Sequence, residues 1–265
     1  MTADEGENIA AGATIGTALV TGAGRRIGRA IALALGRLGF AVAVHYRRSA
    51  EPAEAVAAAI RAEGGRAAIF AADLADGAQA AALVARAGAA LGPLTCLINN
   101  ASLFEMDTVE TATLESWDNH LDLNLRAPFL LAQAFARQLP AGAQGNIINL
   151  IDMRVWKPTP YFASYTVSKA GLWMLTRTLA MALAPRVRVN GIGPGPTLKS
   201  TRQSPAQFAR QVARTPLGHG ASPEEICDGV RYILSARAMT GQMIALDGGQ
   251  HLPSGPLHPS AAEDE

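Results

Sequence analysis

Tyr165 and Lys169 are the residues in this 265-residue chain best placed to move a proton. They lie four apart in a segment, 162–183, whose apolar spacing predicts a long helix, so they share one helical face. A free tyrosine ionises at about pH 10 and is a poor acid-base catalyst near neutrality. A neighbouring ammonium stabilises the phenolate and lowers that pKa. Lysine is scarce here, found only at Lys157, Lys169 and Lys199. Taken alone, Tyr-x-x-x-Lys is also an ordinary helical pair. Its setting decides between the two.

The setting is an alternation of strand-like and helix-like segments. Strands are expected over 15–21, 41–45, 66–71, 94–99, 146–151, 187–190 and 243–246. Helices are expected over 26–38, 51–62, 77–90, 114–125, 127–138, 162–183 and 223–234. Such alternation predicts an α/β fold: one doubly wound, mostly parallel sheet with helices on both faces. One domain is expected over 15–252, with a loose leader over 1–14 and a flexible tail over 253–265. Ligands in such sheets bind beyond the carboxyl ends of the strands. The segment 197–215, between the sixth strand and the next helix, is the expected lid.

After the first strand comes Thr21-Gly22-Ala23-Gly24-Arg25-Arg26-Ile27-Gly28, opening a helix. Glycines let a backbone approach a pyrophosphate, and a helix N-terminus supplies free N–H groups. The plainer alternative is a tight strand-to-helix turn. The second strand ends on His45-Tyr46-Arg47-Arg48-Ser49, where a diol-binding acid would favour NAD. Two guanidinium groups and a hydroxyl suit a 2′-phosphate instead, which makes NADPH/NADP+ the expected cofactor, with a solvated basic turn as the alternative. Asp73 and Leu74, after the third strand, would flank the adenine, and Lys169 can hold the nicotinamide ribose.

Composition narrows the partners. Hydrophobic residues make up 49% and charged residues 17%, so a packed core is expected. Net charge is +1 and the arginines are scattered, which argues against nucleic acid. The apolar stretches are short and broken, so no membrane span is expected. Cys96 and Cys227 have no metal-ligand spacing, no metal is expected, and a reducing, cytoplasmic setting fits.

The motifs together resemble the short-chain dehydrogenases/reductases. The residues that carry the likeness are Thr21 to Gly28, Asn99-Asn100-Ala101, Asn124, Tyr165/Lys169, Pro194-Gly195 and Asp247-Gly248-Gly249, in order over about 15–252. The resemblance implies a seven-stranded Rossmann domain, commonly a homotetramer. It implies that Asn100, Ala101, Ser102, Pro194 and Gly195 join Gly22, Gly24, Arg26, Ile27 and Gly28 around the cofactor. It further implies a proton donor at Tyr165, tuning by Lys169, and an Asn124 that helps relay protons through water.

The departures are informative. Thirteen residues before the tyrosine, where the family usually has serine, stands Asp152. Arg26 replaces a usual loop glycine, and Ser102 follows Asn-Ala with Phe104 close behind. Jointly these resemble pteridine reductases and dihydromonapterin reductases. Reducing a ring C=N requires a proton at nitrogen, and a carboxyl group raised in pKa by burial can help supply it. Phe104 would stack on a flat ring, Arg26 would bridge pyrophosphate and ring, and Ser102 would bond either. Trp156 would wall the pocket, with packing as its alternative. A pteridine-like small-molecule substrate is thus expected. The rival readings are a 3-oxoacyl or other carbonyl reductase and a non-catalytic dinucleotide sensor.

Overall fold

A computed structural model describes residues 14–252. The leader expected over 1–14, except Thr14, and the tail expected over 253–265 lie outside the described residues. Seven strands form one sheet: β1 (Gly16–Val20), β2 (Phe40–Tyr46), β3 (Ala67–Ala71), β4 (Leu94–Asn99), β5 (Gly145–Leu150), β6 (Val187–Pro194) and β7 (Met243–Leu246). Their order is β3-β2-β1-β4-β5-β6-β7, with every neighbouring pair parallel. The order reverses between β1 and β4, and the crevice at such a switch point is where ligands bind.

The central strands β1, β2 and β4 are buried on both faces, as a sheet covered on both sides requires. Ala18 and Val20 of β1 enter one core with Cys96 and Ile98 of β4; Leu19 and Leu97 enter the other. The first core is closed by α1 (Arg26–Arg37), α2 (Ala50–Ala62) and α8 (Pro223–Ser235), through Ile31, Val56 and Ile233 among others. The second is closed by α3 (Gly77–Leu91), α5 (Ala127–Gln138) and α6 (Ala163–Leu183), through Leu83, Phe135 and Leu179. Among the described residues no helix is long and apolar enough to cross a membrane.

Two expectations need correction. The helix expected over 114–125 ends earlier: α4 covers Leu114–Leu121, and a π-helical turn, Asp122–Arg126, runs on into α5. Pro128 has no N–H to donate to the carbonyl four residues back, at Asn124, so the regular ladder cannot pass. The Ala127 N–H bonds Asp122 O instead. The segment 197–215, where a lid and no helix was expected, contains α7 (Pro205–Ala213). Ser204 and Gln207 form a reciprocal capping box there, with Pro205 in the first turn.

Phe135 is fully buried, and its ring lies where a side chain on Gly145 would stand. Phe135→Ala should cost about 3–5 kcal/mol through lost burial and an unfilled cavity. Urea denaturation should show this as a lower midpoint with an unchanged slope; a loss below about 1 kcal/mol would mean that this core collapses around the gap.

Candidate active site

The sheet's carboxyl edge opens on a cavity of about 590 Å3. Arg26 and Ile27 of α1 line one side; Asn100, Ser102 and Phe104, from the loop after β4, line another. Asp152 reaches it from the loop after β5, Tyr165 and Lys169 from α6, and Pro194 and Gly195 from the end of β6. Leu198, Arg202 and the α7 residues Gln207, Phe208 and Gln211 complete the wall. The expected lid therefore does border the cavity. It is fastened at both margins: Arg26 donates to the Leu198 and Lys199 carbonyls at 3.0 and 2.9 Å, and Arg202 donates to the Phe104 carbonyl.

Tyr165 Oη donates to Asp152 Oδ2 at 2.8 Å, and the Arg154 backbone N–H donates to Asp152 Oδ1 at 2.8 Å. Burial raises the Asp152 carboxyl above its ordinary range, against the pull of these two bonds and of nearby cations. Lys169 Nζ donates to the Leu150 carbonyl at 2.8 Å and sits 5.8 Å from the Tyr165 ring centre. Burial brings its pKa down to about 8, opposed by Asp152. The expectation that Lys169 lowers the Tyr165 pKa is not met. Burial, and then the adjacent Asp152 charge, hold the phenol well above its ordinary value.

The loop bearing Ser102 and Phe104 is held by buried polar groups. Asn124 Oδ1 accepts from the Leu103 N–H and Ser102 Oγ, and Nδ2 donates to Leu103 O and Ser168 Oγ. Every donor and acceptor of this side chain is used, so it clamps the loop. Further on, Ser164 Oγ bonds Asp107 and also lies 2.8 Å from His120 Nδ1. The Glu105 N–H donates to His120 Nε2, which assigns the imidazole proton to Nδ1. All three are buried, so this network ties the loop to the first turn of α6.

Phe104 stacks on Phe162, with ring centres 4.4 Å apart and planes 8° apart, and meets Tyr165 edge-on at 4.7 Å. The Arg154 guanidinium lies 4.8 Å from the Phe162 ring centre. One face of Phe104 is thus already taken. Phe162, Arg154, His120 and Asp107 were not found by sequence reasoning. Phe162 precedes α6 with φ 62°, where an aromatic residue is rare, and nothing local in the sequence signals that. Trp156 does not line the cavity; it is exposed and packs edge-on against His251.

The opposite half is the strand–turn–helix edge of β1 and α1. Gly22 has φ +63°, and a side chain on Gly28 would strike Gly22 O and Asn100 Nδ2. Arg25, the N-cap of α1, makes no side-chain capping bond, so the first-turn N–H groups remain available to an anion. These features fit a pyrophosphate. Arg26 has φ 55° where the common pattern has glycine, and its side chain turns to the lid. Asn100 and Ala101 bond Thr21, and the Asn100 amide also holds Gly22 O, so they fix the turn.

The basic segment after β2 splits by role. His45 is buried, and its Nδ1 accepts the Gly22 N–H at 3.0 Å while Nε2 meets Ala72 O at 3.1 Å. It is a strut under the glycine turn. Tyr46 packs against the first core, and the Leu74 side chain lies in the second. Arg47 pairs with Asp73 at 2.7 Å. Arg48 is exposed without an ion pair among the described residues, beside the partly exposed Ser49. These two are best placed for a 2′-phosphate. Among the described residues no cluster of His, Cys, Asp or Glu could hold a metal.

A family profile described as short chain dehydrogenase matches residues 16–209. The chain belongs to the short-chain dehydrogenase/reductase family. It is similar to the crystal structure of FolM alternative dihydrofolate reductase 1 from Brucella suis in complex with NADP. The two are 47% identical over 93% of this chain and 98% of that one, with a TM-score of 0.88. An uncharacterized oxidoreductase of Methylorubrum extorquens is 37% identical over 88% of this chain and 96% of its own length. A 3-oxoacyl-[acyl-carrier-protein] reductase of Synechocystis is 34% identical over 89% and 97%.

The His45 strut has a signature in pH. Burial holds its pKa at about 4, against about 6.5 in an unfolded chain. The unfolded state therefore binds the proton first, and stability present above about pH 6.5 is lost as pH falls through about 4. The full difference is worth roughly 3 kcal/mol. An NMR titration should place the His45 ring near that low value; titration near 6.5 would show a ring open to water and no strut.

Proposed function

We propose that this protein is an NADPH-dependent reductase of a dihydropteridine-type ring, transferring hydride to carbon and a proton to nitrogen across a C=N bond. The observation that carries this reading is the Tyr165–Asp152 hydrogen bond at 2.8 Å, in one cavity with the Phe104–Phe162 aromatic wall. Support comes from the similar Brucella enzyme, whose description names dihydrofolate reduction and NADP. A 3-oxoacyl substrate is the second reading, favoured by relatives of that name. A ketone needs a hydroxyl donor beside its oxygen, and Asp152 stands where the family's serine usually supplies one.

The residues account for the proton. The α1 N-terminus, Arg48 and Ser49 would hold NADPH, which would supply the hydride when bound. A carboxyl group raised by burial is protonated more readily than an ordinary aspartate, and so it can donate. Once Asp152 has given up its proton, the Tyr165 hydroxyl and the Arg154 N–H are already in position to stabilise the carboxylate. Tyr165 can pass its own proton along the same bond. Lys169 lies close enough to offset the negative charge left behind. Asn124 positions the loop that carries Ser102 and Phe104.

An assay of NADPH oxidation with a dihydropteridine, a β-ketoester and no substrate tests the reading directly. Turnover of the ketoester and not of the dihydropteridine would overturn it. Tyr165→Phe should slow hydride transfer by about 10²–10⁴-fold, with NADPH affinity little changed. Asp152→Ser should cost dihydropteridine turnover heavily. Wild-type activity should fall as pH rises through the apparent pKa of the Asp152–Tyr165 pair, because the protonated pair is the donor. A flat profile that matches that of Asp152→Asn would remove Asp152 from the mechanism.

Cofactor selection has its own test. Arg48→Ala should weaken NADPH binding by about 1.5–3 kcal/mol, the range for a hydrogen bond to a charged group, and leave NADH almost unaffected. Equal losses for both nucleotides would place the 2′-phosphate elsewhere.

A further inference from the structure

The helices α4, α7 and α8 begin on capping residues of their own. Thr113, Ser204 and Ser222 each accept a backbone N–H three residues on. The helix that carries Tyr165 is capped differently. The N-cap of α6 is Phe162, in the left-handed region, with no side-chain bond to the helix. Its first N–H groups are met from outside, by Asp107 of the loop after β4. Asp107 O accepts the Phe162 N–H at 2.7 Å and the Ala163 N–H at 3.4 Å, and Oδ1 accepts the Ser164 N–H at 3.2 Å. The same carboxylate ends a directed chain of bonds. The Glu105 N–H donates to His120 Nε2. His120 Nδ1 carries the proton and lies 2.8 Å from Ser164 Oγ and 2.9 Å from Ser116 O. Ser164 Oγ in turn donates to Asp107 Oδ2. Glu105 follows Phe104, and Ser164 precedes Tyr165. The chain therefore runs from the neighbour of the aromatic wall to the neighbour of the hydroxyl. Asp107, His120 and Ser164 are buried, and none of them lines the reaction cavity. They can act on a substrate only through the residues that do.

We propose that Asp107 is a positioning residue: it caps α6 from the loop that bears Phe104, and so keeps the Tyr165 hydroxyl in register with the aromatic wall. The proposal rests on the reading of Tyr165 as a proton donor given above. A cap in the helix's own sequence would stand at position 162, and that place is taken by a ring stacked on Phe104 at 4.4 Å. Capping from outside leaves Phe162 to the wall and, through the same bonds, ties the wall to the helix. Tyr165 then meets Phe104 edge-on at 4.7 Å, with its hydroxyl on Asp152. A carboxylate suits the positive end of a helix, and the buried Ser164 N–H would be stranded without it. The consequence for chemistry is one of aim, since a displacement of about 1 Å can cost about 10²-fold in rate.

A double-mutant cycle with Tyr165 provides the test. Asp107→Ala should lower kcat about 10–100-fold. KM should stay within about threefold, because Asn124 and Arg202 still hold the Phe104 loop. NADPH affinity should stay within about twofold, which also shows that the variant is folded. In a Tyr165→Phe background the same substitution should cost less than about twofold, because the group that it aims is already gone. Equal losses in both backgrounds, or an unchanged kcat in Asp107→Ala, would overturn the proposal. Asp107→Asn keeps one oxygen for the Ser164 N–H and should recover part of the loss. If Asp107→Ala does not fold, Ser164→Ala takes its place: it removes the hydroxyl link and keeps the N–H bond, and its smaller loss should likewise vanish beside Tyr165→Phe. The cycle is run on whichever substrate wild type reduces, the dihydropteridine or the β-ketoester, so a wrong substrate does not decide it. Should wild type reduce neither, the reaction is misassigned, and hydrogen exchange judges the cap alone. The Ser164 amide should then exchange at least about tenfold faster in Asp107→Ala, with the amides of β1 unchanged. No change at Ser164, or an equal rise in β1, would reject it.

Discussion

A tyrosine hydroxyl and a carboxylate, bonded at 2.8 Å and largely withdrawn from water, impose most of the other requirements on this molecule. Burying such a pair is costly unless its remaining polar atoms are matched. The second Asp152 oxygen is matched by the Arg154 N–H, which a short 3-10 turn, Met153–Val155, presents directly after β5. The buried ammonium of Lys169 needs an acceptor and finds it at Leu150 O, the last residue of the same strand. One strand end thus supplies partners for both members of a helical pair. That demands a fixed separation between β5 and α6, and the packed core beneath Leu172 and Leu179 holds it.

Strain is concentrated where ligands would approach. The non-glycine residues with positive φ among those described are Arg26 and Phe162. A left-handed conformation costs such residues roughly 1–3 kcal/mol and persists when surrounding contacts enforce it. Arg26 is held by two lid carbonyls, and Phe162 by its N–H on Asp107 O and by its stack on Phe104. Both deviations aim a large side chain at the cavity, which a relaxed backbone would turn aside.

Much of the architecture was legible in the residues. Short apolar runs and Gly-rich turns marked the strands, and the Ser204–Gln207 capping box was there to mark α7, although no helix was expected in that segment. Tyr165, Lys169 and Asp152 converge because their spacing from β5 and along α6 is local. The misassigned residues fail for a different reason. His45 has a side chain suited to a ligand, and only long-range packing shows that it faces inward. Likewise, Arg47 and Asp73 were each assigned to the cofactor, and the parallel pairing of β2 with β3 brings them to each other. The Asp107–His120–Ser164 network joins residues up to 57 positions apart, and no periodicity or motif reports such a meeting.

Arg26 opens α1, yet its guanidinium is spent on the backbone of the segment before α7. A single side chain is therefore common to the nucleotide's cradle and to the cover of the substrate. A bound group that pulls this guanidinium away loosens the cover, and one that steadies it makes the cover cheaper to close. The two effects must be equal in free energy, since each ligand's influence on the other is the same quantity measured from opposite ends. The coupling between nucleotide and substrate would then run through one arginine, standing where the family's usual residue is a glycine with no side chain to carry it.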